Sequence, residues 1–134
     1  MDATHDLTAR RTQRHDVALR VRLSLMPESS AQVRLTQASG VREGWIDADL
    51  VDLASGGAGL LSPVYLPRHA LVTIRIAAEH ALGKEMDLNA RVQRVIMTDR
   101  RPMYLIGTSF DALPADQRER LHALLDRFHS ENAA

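Results

Sequence analysis

Apolar and polar residues alternate strictly between Val17 and Leu25, with arginine and serine on the polar face. A period of two is typical of a β-strand that buries one of its faces. Residues 1–16 are polar and show no such period. The sequence therefore predicts a flexible leader over residues 1–16 and a folded unit over residues 17–134.

Further short segments with strand character follow at regular spacing, separated by turns rich in glycine, proline or charged residues. They lie at residues 45–53, 58–64, 71–76, 89–97 and 103–110, with a weaker one at 32–36 and a hairpin turn at 38–44. Within the segment at 45–53 the apolar positions change face after Leu50, which predicts a bulge or a sharp bend.

The C-terminal region has a different period. Its apolar residues recur at helical spacing and are Leu121, Leu124, Leu125 and Phe128. They predict an amphipathic helix over about residues 114–130, with Pro114 at its first position. The apolar stripe either covers a barrel or pairs with another subunit, and coverage of the core is favoured, so monomer and homodimer both stay open. Six or seven strands and one helix predict a mainly β fold, an antiparallel barrel or sandwich with a C-terminal lid.

Composition narrows the class of protein. The chain has no cysteine, which excludes disulfides, thiolate catalysis and cysteine-ligated zinc. Its 17 basic and 17 acidic residues give a net charge of zero, which argues against a general nucleic-acid-binding protein. No apolar run approaches the roughly 20 residues of a membrane span, and the N-terminus lacks the apolar centre of a secretory signal. We therefore expect a cytoplasmic protein without membrane insertion.

The short motifs of enzymes and metal sites are missing from the sequence. There is neither a GxSxG nucleophile elbow nor a GxxxxGK[ST] phosphate loop, and the six histidines have no metal-ligand spacing. His122 and His129 on one helical side are expected to be ordinary surface residues, and Asp47 and Asp49 to form a solvated strand face. Aromatic residues make up 4% of the chain, too few for base-stacking platforms. We predict no enzymatic activity, no metal and no cofactor.

Two motifs remain, RRTQR at residues 10–14 and DLASGG at residues 52–57. Together with ARVQRV and YLIGTSF further along, they resemble the PilZ domain family over nearly the whole chain. The resemblance implies a six-stranded antiparallel PilZ-like barrel with a C-terminal helix that binds the bacterial second messenger cyclic di-GMP. The family's signatures are RxxxR in the leader and [DN]xSxxG near the third strand.

Arg10 and Arg14 fill the first signature, and the resemblance assigns them to a guanine edge and a phosphate, which the arginine fork suits. Asp52 and Gly57 fill two of the three places of the second. The implied roles are acceptance of the guanine N1 and N2 hydrogens by Asp52 and close backbone approach at Gly57. A purely structural alternative is that Asp52 caps the turn and the glycines form the bend. Arg11 belongs to the same candidate set.

Ala54 stands where the family has serine, with Ser55 one position later. The missing hydroxyl costs a net ~0.5–1.5 kcal/mol, a loss of about two- to tenfold in affinity. Ser55 compensates only if the turn shifts by one residue, because the alternation points it elsewhere. Arg94 shares parity with the apolar Val92. Either Arg94 stacks on a guanine near the barrel rim or a bulge turns it to solvent.

The resemblance implies a receptor whose leader folds across the barrel when the ligand binds. No second domain is evident, so we expect the signal to pass in trans to a downstream protein that the sequence does not identify. The alternative is an adaptor that has kept the barrel and lost the nucleotide. Whether one ligand or a stacked pair binds stays open.

Overall fold

The structure is a computed structural model that describes residues 15–26, 41–42, 44–98, 103–111 and 113–133. The first 14 residues of the predicted leader and the weaker strand at 32–36 lie outside the described residues. The last two residues of the predicted leader, His15 and Asp16, belong to the first strand, which therefore begins two residues earlier than predicted. Within the described residues the chain forms seven strands, a 3-10 helix and an α-helix. These are β1 (His15–Leu25), β2 (Val41–Arg42), β3 (Trp45–Ala54), β4 (Gly57–Ser62), β5 (Leu71–Ile76), β6 (Met86–Met97), β7 (Tyr104–Ser109), the 3-10 helix Ala78–His80 and α1 (Ala115–Ala133).

Six of these strands close an antiparallel barrel. The order around the barrel is β1, β5, β6, β7, β4 and β3, and β3 pairs again with β1. The short β2 pairs with β3, with Arg42 opposite Trp45, so two residues of the predicted loop at 38–44 belong to a strand. Gly44 has a φ of +82°, which is why glycine suits this position between β2 and β3. The predicted barrel with a C-terminal helix is confirmed.

Strand β1 shows how alternation builds the wall. Val21 and Leu23 are buried in the core, and Arg22 between them faces outwards. On the outer face Arg20 lies 3.1 Å from Asp49 and Arg22 lies 3.9 Å from Asp47, each across the β1–β3 ladder. The two aspartates are thus cross-strand partners of arginines. The face that was predicted to be solvated is only partly so, since their side chains are 33% and 41% exposed.

The predicted irregularity after Leu50 is a bulge in β3. The register passes from Leu50 opposite Leu60 to Asp52 opposite Gly59, which leaves Val51 as the extra residue. Leu50 and Leu53 both point into the core because of it. The bulge also places Asp52 on the outer wall of the barrel.

Helix α1 covers the core with its apolar stripe, which was the favoured of the two predicted roles. Leu121 and Leu124 are fully buried, and Leu125 and Phe128 pack against the same cluster. The helix begins at Ala115, one residue later than predicted, because the carbonyl of Pro114 accepts the first helical bond from the Arg118 amide at 2.9 Å. Pro114 therefore precedes the first helical residue.

Candidate ligand site

One row of residues crosses four strands on the outside of the barrel. Asp52 on β3 lies opposite Gly59 on β4, Gly59 opposite Gly107 on β7, and Gly107 opposite Arg94 on β6. Neighbouring strands are about 4.8 Å apart, so this row spans about 14 Å from Asp52 to Arg94. An acid and a base thus face each other over two residues without side chains.

The row forms the floor of a cleft, here called the outer-wall cleft, with a volume of about 280 Å³. Ala54, Gly57 and Thr108 line it together with the members of the row. One side of the cleft is apolar, because Leu105 on β7 lines it. Leu105 lies between Leu61 and Ile96 in the next row of the sheet. The cleft therefore combines a flat floor, an apolar side and charges of opposite sign.

Gly59 makes room for the acid. A Cβ atom at this position would lie 2.5 Å from Oδ2 and 2.9 Å from Cγ of Asp52. The carboxylate therefore occupies the space above the bare Cα of Gly59. Asp52 is half-buried there, which keeps it accessible from the cleft. The glycine determines where the carboxylate stands.

Gly57 has another role in the described structure. A Cβ atom there would collide with the carbonyl oxygen of Thr108 on the neighbouring strand. Its missing side chain allows β4 and β7 to pair at this point, where Gly57 lies opposite Ser109. The close approach of its backbone to a ligand stays a prediction.

The DLASGG motif forms the tight turn between β3 and β4. Ala54 pairs with Gly57, which leaves Ser55 and Gly56 at the tip, and the Phe110 amide donates to the Gly56 carbonyl at 2.9 Å. Ala54 is 6% exposed and lines the cleft. Ser55 is not among the residues that line the cleft. The turn has therefore not shifted by the one residue that would bring the Ser55 hydroxyl into the cleft.

Of the two alternatives that its parity left open for Arg94, the structure shows the bulge, and stacking on a guanine stays a prediction. Val92 lies opposite Thr108 and Arg94 opposite Gly107, so Gln93 is the extra residue of a bulge in β6. The bulge turns Arg94 to the exposed outer face, and there its side chain lines the outer-wall cleft. Gly107 leaves the space beside it open, since a Cβ at 107 would meet only the Cβ of Arg94, at 3.9 Å.

Sequence reasoning missed the contribution of β7. Leu105 and Gly107 line the cleft and were not candidates. Their alternation with Ile106 and Thr108 indicates that they share a face. That this face joins the row of Asp52 follows only from the pairing of β7 between β4 and β6.

The structure brings together Asp52, Ala54, Gly57 and Arg94 from the candidate set. Arg10, Arg11 and Arg14 lie outside the described residues. Within the described ranges, no group of three or more histidine or acidic residues could hold a metal ion. Among the helices that the structure describes, none has the length and apolarity to cross a membrane.

A family model of the PilZ domain matches residues 8–127 of the chain. None of the curated proteins matches its sequence. Among solved structures, the K. pneumonia MrkH–c-di-GMP complex is 18% identical with a TM-score of 0.64, covering 92% of this chain and 52% of MrkH. Bacillus subtilis MotI/DgrA, an inhibitor of motility, is 15% identical with a TM-score of 0.59, covering 87% of this chain and 50% of its own.

The PilZ domain of Escherichia coli YcgR, solved with c-di-GMP, is 14% identical with a TM-score of 0.58. The alignment covers 91% of this chain and 92% of that domain. This chain thus spans about half the length of the MrkH and MotI/DgrA chains and nearly all of the YcgR domain. At such identities the likeness concerns the fold.

Proposed function

Since the chain belongs to the PilZ domain family, we propose that it is a receptor for cyclic di-GMP, without enzymatic activity, and that a guanine of the nucleotide binds in the outer-wall cleft. The observation that carries this proposal is the cross-strand row in which Asp52 and Arg94 face each other over Gly59 and Gly107. Two solved relatives by fold, MrkH and the YcgR domain, contain c-di-GMP, which supports the ligand.

The chemistry of the two ends suits guanine. An ionised aspartate only accepts hydrogen bonds, and the Watson–Crick edge of guanine donates from N1 and N2. An arginine only donates, and guanine accepts at O6 and N7 on its other side. Asp52 would hold the donor edge, and Arg94 would bind the acceptor edge or a phosphate. The flat glycine floor and Leu105 would contact the base itself.

The cleft alone is small for a dinucleotide. Its volume of about 280 Å³ is just below the ~300–1,000 Å³ usual for ligand pockets. The proposal therefore includes the leader: Arg10 and Arg14, with Arg11 between them, would close over the nucleotide from outside, where charge-assisted bonds to phosphate are strong. Binding would order the leader and present a new surface to a downstream protein. A receptor for an intracellular messenger would act in the cytoplasm.

Isothermal titration calorimetry with cyclic di-GMP tests the proposal. The chain should release heat on binding, and Arg14→Ala should abolish that heat. Arg22→Ala is the matched control, because Arg22 is an exposed arginine on β1 whose ion pair with Asp47 is loose, at 3.9 Å. That variant should bind like the unchanged chain. Cyclic di-AMP should not bind, because adenine lacks the N1–H that Asp52 would accept.

The second candidate is an adaptor that binds a protein partner without nucleotide. Ala54 favours it, because the methyl group lining the cleft replaces the family's hydroxyl. The absence of heat up to about 100 μM ligand, an affinity weaker than about −5.5 kcal/mol, would favour the adaptor and contradict the receptor.

A further inference from the structure

The bulge that carries Arg94 outwards is held by a side-chain hydrogen bond. Gln93, the extra residue of the bulge, donates from Nε2 to the Ser109 hydroxyl on β7 at 2.7 Å. A bulged residue has no backbone partner of its own across the ladder. The amide of Gln93 therefore joins the irregular part of β6 to the regular strand beside it.

Ser109 is itself fixed from the other side. Its hydroxyl donates to Oδ1 of Asp111 at 2.7 Å, and Arg91 donates from Nε to Oδ2 of the same carboxylate at 2.8 Å. The hydrogen bonds from Ser109 and from Arg91 lower the pKa of Asp111 below its ordinary value. The carboxylate stays ionised at neutral pH, so the Ser109 hydroxyl donates to it and keeps its lone pairs for Gln93.

The same end of β7 also contacts the β3–β4 turn at the opposite side of the cleft. Ser109 lies opposite Gly57, and the next amide, that of Phe110, donates to the Gly56 carbonyl at 2.9 Å. Two neighbouring residues thus connect the turn that follows Asp52 with the bulge that precedes Arg94. The C-terminal end of β7 therefore contacts both ends of the outer-wall cleft.

We propose that Gln93 and Ser109 are positioning residues for the ligand, which hold the β6 bulge so that the Arg94 guanidinium stands over the cleft. The inference rests on the proposed cyclic di-GMP function. The charge of Arg94 by itself keeps the side chain out of the core, because a buried unpaired charge is very costly. The Gln93–Ser109 hydrogen bond fixes where along β6 the Arg94 side chain projects from the barrel, and ligand binding depends on that position.

Calorimetric titration of variants tests this with a double-mutant cycle. Gln93→Ala should weaken cyclic di-GMP binding by about three- to tenfold, the worth of one net hydrogen bond. In an Arg94→Ala background the same change should cost less than about twofold, because there is no guanidinium left to position. Ser109→Ala should match Gln93→Ala, and Ser109→Thr, which keeps the hydroxyl, should restore affinity.

Gln117→Ala is the matched control. Gln117 also bonds β6, accepting from the Asn89 amide at 3.0 Å, but at the helix-covered end of the strand. It should leave affinity unchanged. Equal losses for Gln93→Ala with and without Arg94, or a Ser109→Thr variant that binds as weakly as Ser109→Ala, overturn the inference while the receptor function stands. If the unchanged chain does not bind at all, both proposals fall.

Discussion

The glycines of the β3–β4 hairpin allow a test of whether the position of the Asp52 carboxylate matters for binding. Replacement of Gly59 by alanine adds one methyl group against that carboxylate, with Cβ 2.5 Å from Oδ2 and 2.9 Å from Cγ. Ordinary van der Waals contact begins at 3.4 Å, so the carboxylate has to retreat by about 0.9 Å. The charge of Asp52 stays, and only its location changes.

That displacement is large for a hydrogen bond and small for the fold. A bond of about 2.8 Å that lengthens by this amount passes 3.6 Å and ceases to be one. Loss of a bond to a charged group costs about 1.5–3 kcal/mol, which weakens binding by about 10- to 150-fold. The free energy of unfolding should change by less than about 1 kcal/mol, since a strained Asp52 rotamer and the better strand propensity of alanine offset each other.

Two neighbouring glycines separate this effect from others. Gly56→Ala meets nothing within 4 Å and should change neither affinity nor stability by much. Gly57→Ala drives its Cβ against the backbone of Thr108, which cannot move aside as a side chain can. That variant should lower the free energy of unfolding by about 1–3 kcal/mol through the separation of β4 and β7. The same chemical change thus has three different expected outcomes.

The assays are calorimetric titration with cyclic di-GMP and urea unfolding, both on all three variants. The reasoning is refuted if the Gly59→Ala variant folds with unchanged stability and binds like the unchanged chain. It is also refuted if Gly56→Ala weakens binding as much as Gly59→Ala, because the loss would then come from the hairpin in general. Asp52→Asn, which keeps the shape and removes the charge, should lose about as much affinity as Gly59→Ala.

Two further predictions concern stability. Arg120→Ala should lower the free energy of unfolding in urea by about 1–3 kcal/mol, because its guanidinium donates to the carbonyls of Ala81 and Glu85 at 3.1 and 2.6 Å and also to that of Lys84; Arg118→Ala, which loses one local bond at 3.3 Å, is the control and should cost less. The lowered pKa of Asp111 predicts a contribution to stability that is present above its ordinary pKa of 3.8 and lost as the pH falls through the folded value; the difference in unfolding free energy between the unchanged chain and Asp111→Asn should shrink over that range, and a difference that stays constant contradicts it.

Elements whose burial is decided by local pattern were predictable from the sequence. The strand at 71–76 has the predicted bounds, and the helical stripe that includes Leu121 and Leu124 covers the core. Both cases depend on one period that repeats without interruption. The change of face after Leu50 also predicted its bulge, because apolar residues on both sides record which way each side chain points.

The rest of the site depends on pairing between strands that are distant in sequence. Nothing local to Gly107 or Leu105 indicates that β7 inserts between β4 and β6, and this insertion puts them beside Asp52. The β6 bulge was left open for a similar reason. Its hydrogen bond joins Gln93 to Ser109, sixteen positions away, and the residue that follows it, Arg94, shares the parity of an apolar face.

Because the cleft depends on pairing between distant strands, Ala54 alone is a weak argument against the receptor proposal. A sequence motif is defined by positions along the chain, and DLASGG departs from the family signature at one of its three specified positions, Ala54. The outer-wall cleft is built across strands, and three members of its row, Gly59, Gly107 and Arg94, lie outside the motif. The missing hydroxyl removes about 0.5–1.5 kcal/mol, whereas the acid, the flat floor and the guanidinium of the proposed guanine site are all present in the cleft. On the receptor proposal, loss of nucleotide binding would therefore require a defect in that row or in the arginines of the leader, and Ala54 lies beside the row.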